Sequence, residues 1–326
     1  MGTRWVRPYA ELMQMAEELR RKAIAVSVEL ARTEAEGKGR DSPGHGMMVQ
    51  QAVARARKAA EAAFAGIPAQ FQPFSQMPDP AAFAAPIDAL HQAVGGLTTT
   101  QATQDPLNHE MPGTHPEFAQ ISTASDYLAE WDGDAARAFK QNFLDPFPFH
   151  TAAQFNIAAV LRGAVEAERA IWHAARLDVA AIAQEGIEAL DRLGDCGKNE
   201  WTIGYTVVAA VAFVAGAALA PLTAGGSLAL VAVGSAASVA AVVPPEDPEP
   251  IQFSGETPPQ VVDEVMRGLS ELVNRVGQQE AKIASAMYTD YSIVLENWSS
   301  FVSLRPALAD ATPATIATDA YLGRPD

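Results

Sequence analysis

From Pro258 to about Leu304 the chain carries a seam of residues at alternating steps of three and four. The seam is Val262, Val265, Leu269, Leu272, Val276, Gln279, Ile283, Ala286, Asp290, Ile293 and Asn297. This is heptad spacing, with polar residues at three of the eleven positions. A helix of about 45 residues rises roughly 68 Å at 1.5 Å per residue. A stripe of that length must be covered along its length, so the fold needs a second helix of similar reach. Val265, Leu269, Leu272, Val276 and Ile283 are the expected seam toward a partner helix. Thr257 is placed to cap the helix, and Pro258 is acceptable in its first turn.

The matching helix is legible at 151–193, where the inward stripe reads Ile157, Leu161, Ala164, Ile171, Ala175, Val179, Ile182 and Leu190. Alanine dominates both the stripe and the chain. Hydrophobic residues make up 48% of the sequence and aromatic ones only 7%, a composition suited to long, closely packed helices. β-Branched residues gather mainly in one apolar stretch. The expected fold class is therefore all-α, an elongated helical bundle.

The rest of the chain divides by its breakers. Residues 1–65 read as an N-terminal helical hairpin. Its first helix spans about 8–36, with Tyr9, Leu12, Ala16, Leu19, Ala23, Val26 and Leu30 inward. Its second spans about 47–65, with Val49, Ala52, Val53, Ala56, Ala60 and Phe64 inward. The Gly/Ser/Pro loop from Gly37 to Gly46 makes the two antiparallel neighbours. Residues 66–115 form a proline-rich linker, extended or turning over 66–82, with one short helix that ends at Gly95 and Gly96. Residues 116–198 carry a further helical hairpin, and 199–243 an apolar one. An acidic, proline-rich spacer at 244–257 precedes the long C-terminal helix at 258–304, and the tail 305–326 reads as disordered or loosely attached.

At the turn of the third segment stands Tyr127-Leu-Ala-Glu-Trp131-Asp132-Gly133-Asp134-Ala-Ala-Arg-Ala-Phe139. One helical pattern, from about Pro116 to Glu130, stops at Trp131, and another opens at Asp134. Glycine relieves a tight reversal. The aspartates are placed to cap the next helix and to suit its positive end. Trp131 offers a flat wedge between the helices. Pro146 and Pro148 interrupt the second helix, which resumes near Thr151, while Phe139, Phe143, Phe147, Phe149 and Phe155 plug the bend. Trp-x-Gly between two helices, followed by Ala-Ala-Arg-Ala-Phe, resembles the WXG family of helical-hairpin substrates of type VII secretion. The resemblance covers about residues 116–193. It implies a hairpin, often dimeric, exported in folded form. The family commonly carries a Tyr-x-x-x-Asp/Glu export signal, and here Tyr205, Tyr288, Tyr291 and Tyr321 all lack an acid four residues on. A partner protein would then carry the signal, or the chain is not itself a substrate.

From Ile203 to Val243 there is no charged residue. Two arms, each roughly 16–19 residues, flank a Pro/Gly/Ser turn, at or just below the length that crosses a bilayer as a helix. Ala212, Gly216 and Ala220, and again Ala232, Ala236 and Ala240, recur at four-residue steps, which lets helix backbones approach closely. Three readings follow: a membrane anchor, a concealed hairpin that inserts as in helical pore-forming toxins, or a hairpin buried within a soluble scaffold bundle.

Charge narrows the partners. The net charge is −16; residues 1–65 hold 11 of the 23 basic and 8 of the 39 acidic residues, leaving 12 basic against 31 acidic elsewhere. Such a body does not suit nucleic acid, which needs a concentrated basic face. The one cysteine, Cys196, excludes an internal disulfide. The amphipathic N-terminus is not a cleavable signal peptide. His109, Glu110, His115 and Glu117 sit in a proline-containing loop rather than at helical ligand spacing, and Ser227 lacks the glycine of a nucleophile elbow. The chain reads as a non-enzyme without catalytic residues, metal or cofactor. It is expected to engage a helical partner or its own copies, to contact a membrane, and to be secreted by the type VII route or held at a membrane.

Overall fold

The computed structural model describes residues 9–38, 44–99, 113–128, 130–193, 199–207, 250–302, 310–315 and 318. The fold is all-α, with one two-stranded ladder among the described residues. Two compact units are present. The first comprises Met1–Ala82, Arg169–Val211 and Pro245–Glu280, and the second Phe83–Glu168, Ala212–Pro244 and Ala281–Asp326. Two long helices contribute to both: α7 (Phe147–Arg192, 46 residues) and α8 (Pro258–Glu296, 39 residues).

The first unit begins with α1 (Tyr9–Gly37) packed on α2 (His45–Ala63). Leu12, Ala16, Leu19 and Ala23 are buried on α1, as their spacing requires, but the register then drifts. Val28 takes the inward place, while Val26 is half-buried and Leu30 exposed. Steps of three and four hold one straight stripe for only a few turns of a 3.6-residue helix. Residues 66–82 are not extended. Helix α3 (Ile67–Phe71) seals α1 with the buried Ile67 and Phe71, and 3-10 turns follow at Gln72–Gln76 and Pro80–Phe83. Pro68 and Pro73 sit in the first turns of their elements, where a missing N–H costs nothing.

The three long helices of this unit meet at one glycine. A Cβ on Gly186 of α7 would lie 2.4 Å from Val265 Cγ2 on α8 and 3.3 Å from Leu19 Cδ1 on α1. Helix α8 starts with a reciprocal capping box. Gln260 Oε1 accepts the N–H groups of Glu256 and Thr257 at 2.9 and 3.1 Å, and Thr257 Oγ1 faces the Gln260 N–H at 3.5 Å. Val262, Val265, Leu269, Leu272, Val276, Gln279, Ile283 and Asp290 are all buried, so the seam runs inward. The helix does not reach Leu304. Asn297 turns its side-chain amide back to the Ile293 carbonyl at 2.9 Å and leaves helical geometry at φ −120°, ψ 31°. A short helix, Trp298–Phe301, follows.

In the second unit, α4 (Ala84–Gly96) lays Val94 against Ala152, Phe155, Ala158 and Ala159 of α7, with Leu97 alongside. Leu161, expected inward on α7, is 39% exposed, and its neighbour Arg162 is buried instead. Arg162 pairs with Glu166 at 3.2 Å and donates to His91 Nδ1 of α4 at 3.0 Å. Arginine has no acceptor, so Nδ1 must be the unprotonated nitrogen of that ring. His150 Nδ1 donates to the Ser300 carbonyl at 2.9 Å, and Gln154 Nε2 to that of Phe301 at 2.8 Å.

Candidate functional site

Two sites grow out of this scaffold. The first is the Trp131-Asp132-Gly133 turn. Helix α5 (Pro116–Tyr127) ends four residues before Trp131, and α6 (Asp134–Phe139) starts at Asp134. Gly133 is the N-cap at φ 105°, ψ 175°, a conformation essentially reserved for glycine. Its carbonyl accepts the Arg137 N–H at 3.0 Å, and no side chain caps the helix. The capping role expected of the aspartates is therefore not filled. Asp132 is exposed, and Asp134 instead lies in the first turn, 3.8 Å from Arg137.

Trp131 packs its ring on Phe139 at 5.9 Å, and its carbonyl accepts from Lys140 Nζ at 3.2 Å. From there a ladder of rings runs Phe139–Phe143, Phe143–Phe147, Phe147–Phe118 and Phe118–His115, at 5.3 to 5.8 Å. The ladder joins α5 to the start of α7 across a π-helical turn, Lys140–Leu144. That turn absorbs the break at Pro146, so α7 resumes at Phe147 rather than Thr151.

The second site is a clamp at the foot of the uncharged segment, and it replaces helix with strand. Glu200–Ile203 forms β1 and Ile251–Ser254 forms β2, paired antiparallel as Glu200 with Ser254, Trp201 with Phe253, Thr202 with Gln252, and Ile203 with Ile251. The first residues expected in the apolar helical hairpin, and the end of the acidic spacer, are thus a short ladder. Alternation explains it. Trp201 and Ile203 face inward while Glu200 and Thr202 face out, the period of two that a half-buried strand requires. Trp201 stacks on Phe253 at 5.8 Å and 15°, and the Arg267 guanidinium covers the other ring at 4.5 Å from its centroid.

Several polar groups around the ladder are committed to α7 or α8. Gly255 N–H donates to the Asn199 carbonyl at 3.1 Å, and Asn199 Nδ2 donates to the Ala189 carbonyl at 2.9 Å. Asp178, buried on α7, accepts from Thr206 N–H at 3.0 Å, Thr206 Oγ1 at 2.8 Å and Val207 N–H at 3.1 Å. The fully buried Tyr205 donates its hydroxyl to the Gly268 carbonyl at 2.9 Å, under the Arg275 guanidinium at 4.7 Å. Burial, then the nearby Glu271 carboxylate, pushes its phenol up to about 12. Beside Thr206 an open groove of about 370 Å³ is lined by Pro80, Ala170, Ala174 and Leu177, with Arg169 and His173 on it.

The core of the uncharged segment, with Ala212, Gly216, Ala220, Ala232, Ala236 and Ala240, lies outside the described residues, as do His109, Glu110, Cys196 and Ser227. Among the described residues no helix is long and apolar enough to cross a membrane, and no three His, Cys, Asp or Glu side chains are placed to hold a metal. Sequence reasoning missed Asp178. Its signal was a lone carboxylate beside Val179 and one turn from Ala175 and Ile182, on a face otherwise apolar. No family model matches the chain, and no curated protein or solved structure matches it either.

Proposed function

We propose that the protein is a non-enzymatic helical protein that presents its uncharged segment to a membrane, as a WXG-like type VII secretion substrate or associated factor. The observation that carries the membrane part is the clamp. The β1–β2 ladder fixes the residues on either side of 208–249 antiparallel and side by side. A segment whose two ends are held side by side is what a helical hairpin needs. In detergent phase separation the full chain should enter the detergent phase. Retention in the aqueous phase contradicts this part.

The secretion part rests on a separate observation, the glycine-only backbone at Gly133 beside the Trp131–Phe139 contact. A glycine-only turn between two helices, with the tryptophan packed on the second, supports the WXG reading. In a host with a type VII secretion locus, deleting the locus should remove the protein from the culture filtrate. Undiminished export would remove the reading.

A further inference from the structure

We infer that the groove beside Thr206 binds a single-chain amphiphile with a carboxylate head, a ligand of the fatty-acid class. The inference goes beyond the proposed function and rests on neither the clamp nor the Trp131 turn. Two neighbouring rows of α7 build the groove. Ala170, Ala174 and Leu177, at steps of four and three, give it an apolar floor to which Pro80 adds, and Arg169 and His173 stand on the adjacent row. Arg176 would continue that second row, but its guanidinium donates to the Met77 carbonyl at 2.8 Å. The polar row is therefore open at its Arg169 end. From there the floor runs on to Leu177, about 12 Å along the helix at 1.5 Å per residue. A cation at one end of an apolar trough fits a ligand made of the same two parts.

Charge selects the head. Arg169 is exposed and makes no ion pair or hydrogen bond among the described residues. The carboxylates around it are already engaged. Glu166, one turn earlier, pairs with Arg162 at 3.2 Å, and Glu168 has a contact of its own. Asp79, beside Pro80, accepts the Ala81 N–H at 3.0 Å, and Asp178 holds Thr206 and Val207. A guanidinium presents paired N–H groups that match a carboxylate, and the His173 ring one turn on adds a further donor. Volume selects the tail. The groove of about 370 Å³ holds roughly a dozen water-sized groups, at about 30 Å³ each. That is one chain of about ten to twelve carbons, so a two-chain lipid is too large.

Isothermal titration of the full chain with dodecanoate, at neutral pH and below its micelle concentration, tests this. One equivalent should bind. Acetate has the head alone, and dodecyltrimethylammonium has the tail with the opposite charge. Each should bind more weakly by about tenfold or more, the lower end of what a hydrogen bond to a charged group contributes. Arg169→Ala should weaken dodecanoate by about the same factor, and Arg169→Lys should recover part of it. Arg169 is exposed, so helical circular dichroism should not change. Ala170→Phe, which fills the floor, should abolish binding. Gly216→Asp with Val233→Asp should leave it unchanged, which separates the groove from the uncharged segment and from the membrane reading. No dodecanoate binding, equal binding of the cationic amphiphile, or wild-type affinity in Arg169→Ala would each overturn the inference. So would binding that disappears with Gly216→Asp and Val233→Asp, since the ligand would then sit on the uncharged segment.

Discussion

The Asp178 carboxylate and the Val207 backbone N–H lie 3.1 Å apart across 29 residues of chain, and both groups are buried. This contact, with the two from Thr206, fixes the first described residues of the uncharged segment onto α7.

Asp178→Ala leaves two backbone donors without their acceptor, one of them fully buried. Hydrogen bonds to a charged group contribute roughly 1.5–3 kcal/mol each, so the loss should be about 3 kcal/mol. Asp178→Asn keeps one carbonyl acceptor and should lose about half as much. Urea midpoints of the two variants check the order.

Gly186→Ala tests the meeting of α1, α7 and α8. Helix propensity alone favours alanine over glycine by about 1 kcal/mol. The new Cβ, however, would lie 2.4 Å from Val265 Cγ2. Overpacking of that kind costs roughly 1–3 kcal/mol, so the net effect should be destabilising. Gly186→Ala combined with Val265→Ala should recover part of the loss, and a double-mutant cycle reads the coupling.

Gly133→Ala separates backbone from packing. Nothing lies within 4 Å of a Cβ at this position, so any cost comes from φ 105° alone. A non-glycine residue held there should cost on the order of 1–3 kcal/mol. Thermal melting of Gly133→Ala beside Asp132→Ala checks it, because exposed Asp132 makes no cap and its loss should be near zero.

Tyr205 makes the fold sensitive to alkali. Its folded pKa is pushed up to about 12 from an ordinary value of 10.0. Its contribution is therefore fully present below pH 10 and is lost as the pH rises from 10 through 12. Phenolate absorbance of the native protein should show a step at the top of that window that Tyr205→Phe removes. Tyr205→Phe also deletes the bond to Gly268, at a cost of about 1 kcal/mol.

Much of this architecture was written in spacing. The α8 seam, the start of α6 at Asp134 and the end of α4 at Gly96 follow from heptad steps, an acid placed to open a helix, and glycine stops. The ladder was not legible, because four-residue strands carry only two alternations each. Trp201-Thr-Ile203 adjoins an uncharged run that dominates any window containing it, and Ile251-Gln-Phe253 adjoins prolines that read as spacer. Pairing partners about 50 residues apart in sequence, such as Thr202 with Gln252 and Ile203 with Ile251, are set by α7 and α8 rather than by local pattern. Arg162 was lost for a related reason. A charged residue is assigned outward by default, whereas its burial depends on His91 and Glu166 being there to receive it.

Liposome flotation of the purified full chain tests the central claim most directly. A clamped, uncharged hairpin that engages lipid should carry the protein to the top of the gradient, and Gly216→Asp with Val233→Asp should return it to the bottom with its helical content unchanged. Wild-type protein that stays at the bottom in the presence of vesicles, or variant protein that floats equally well, would contradict the account.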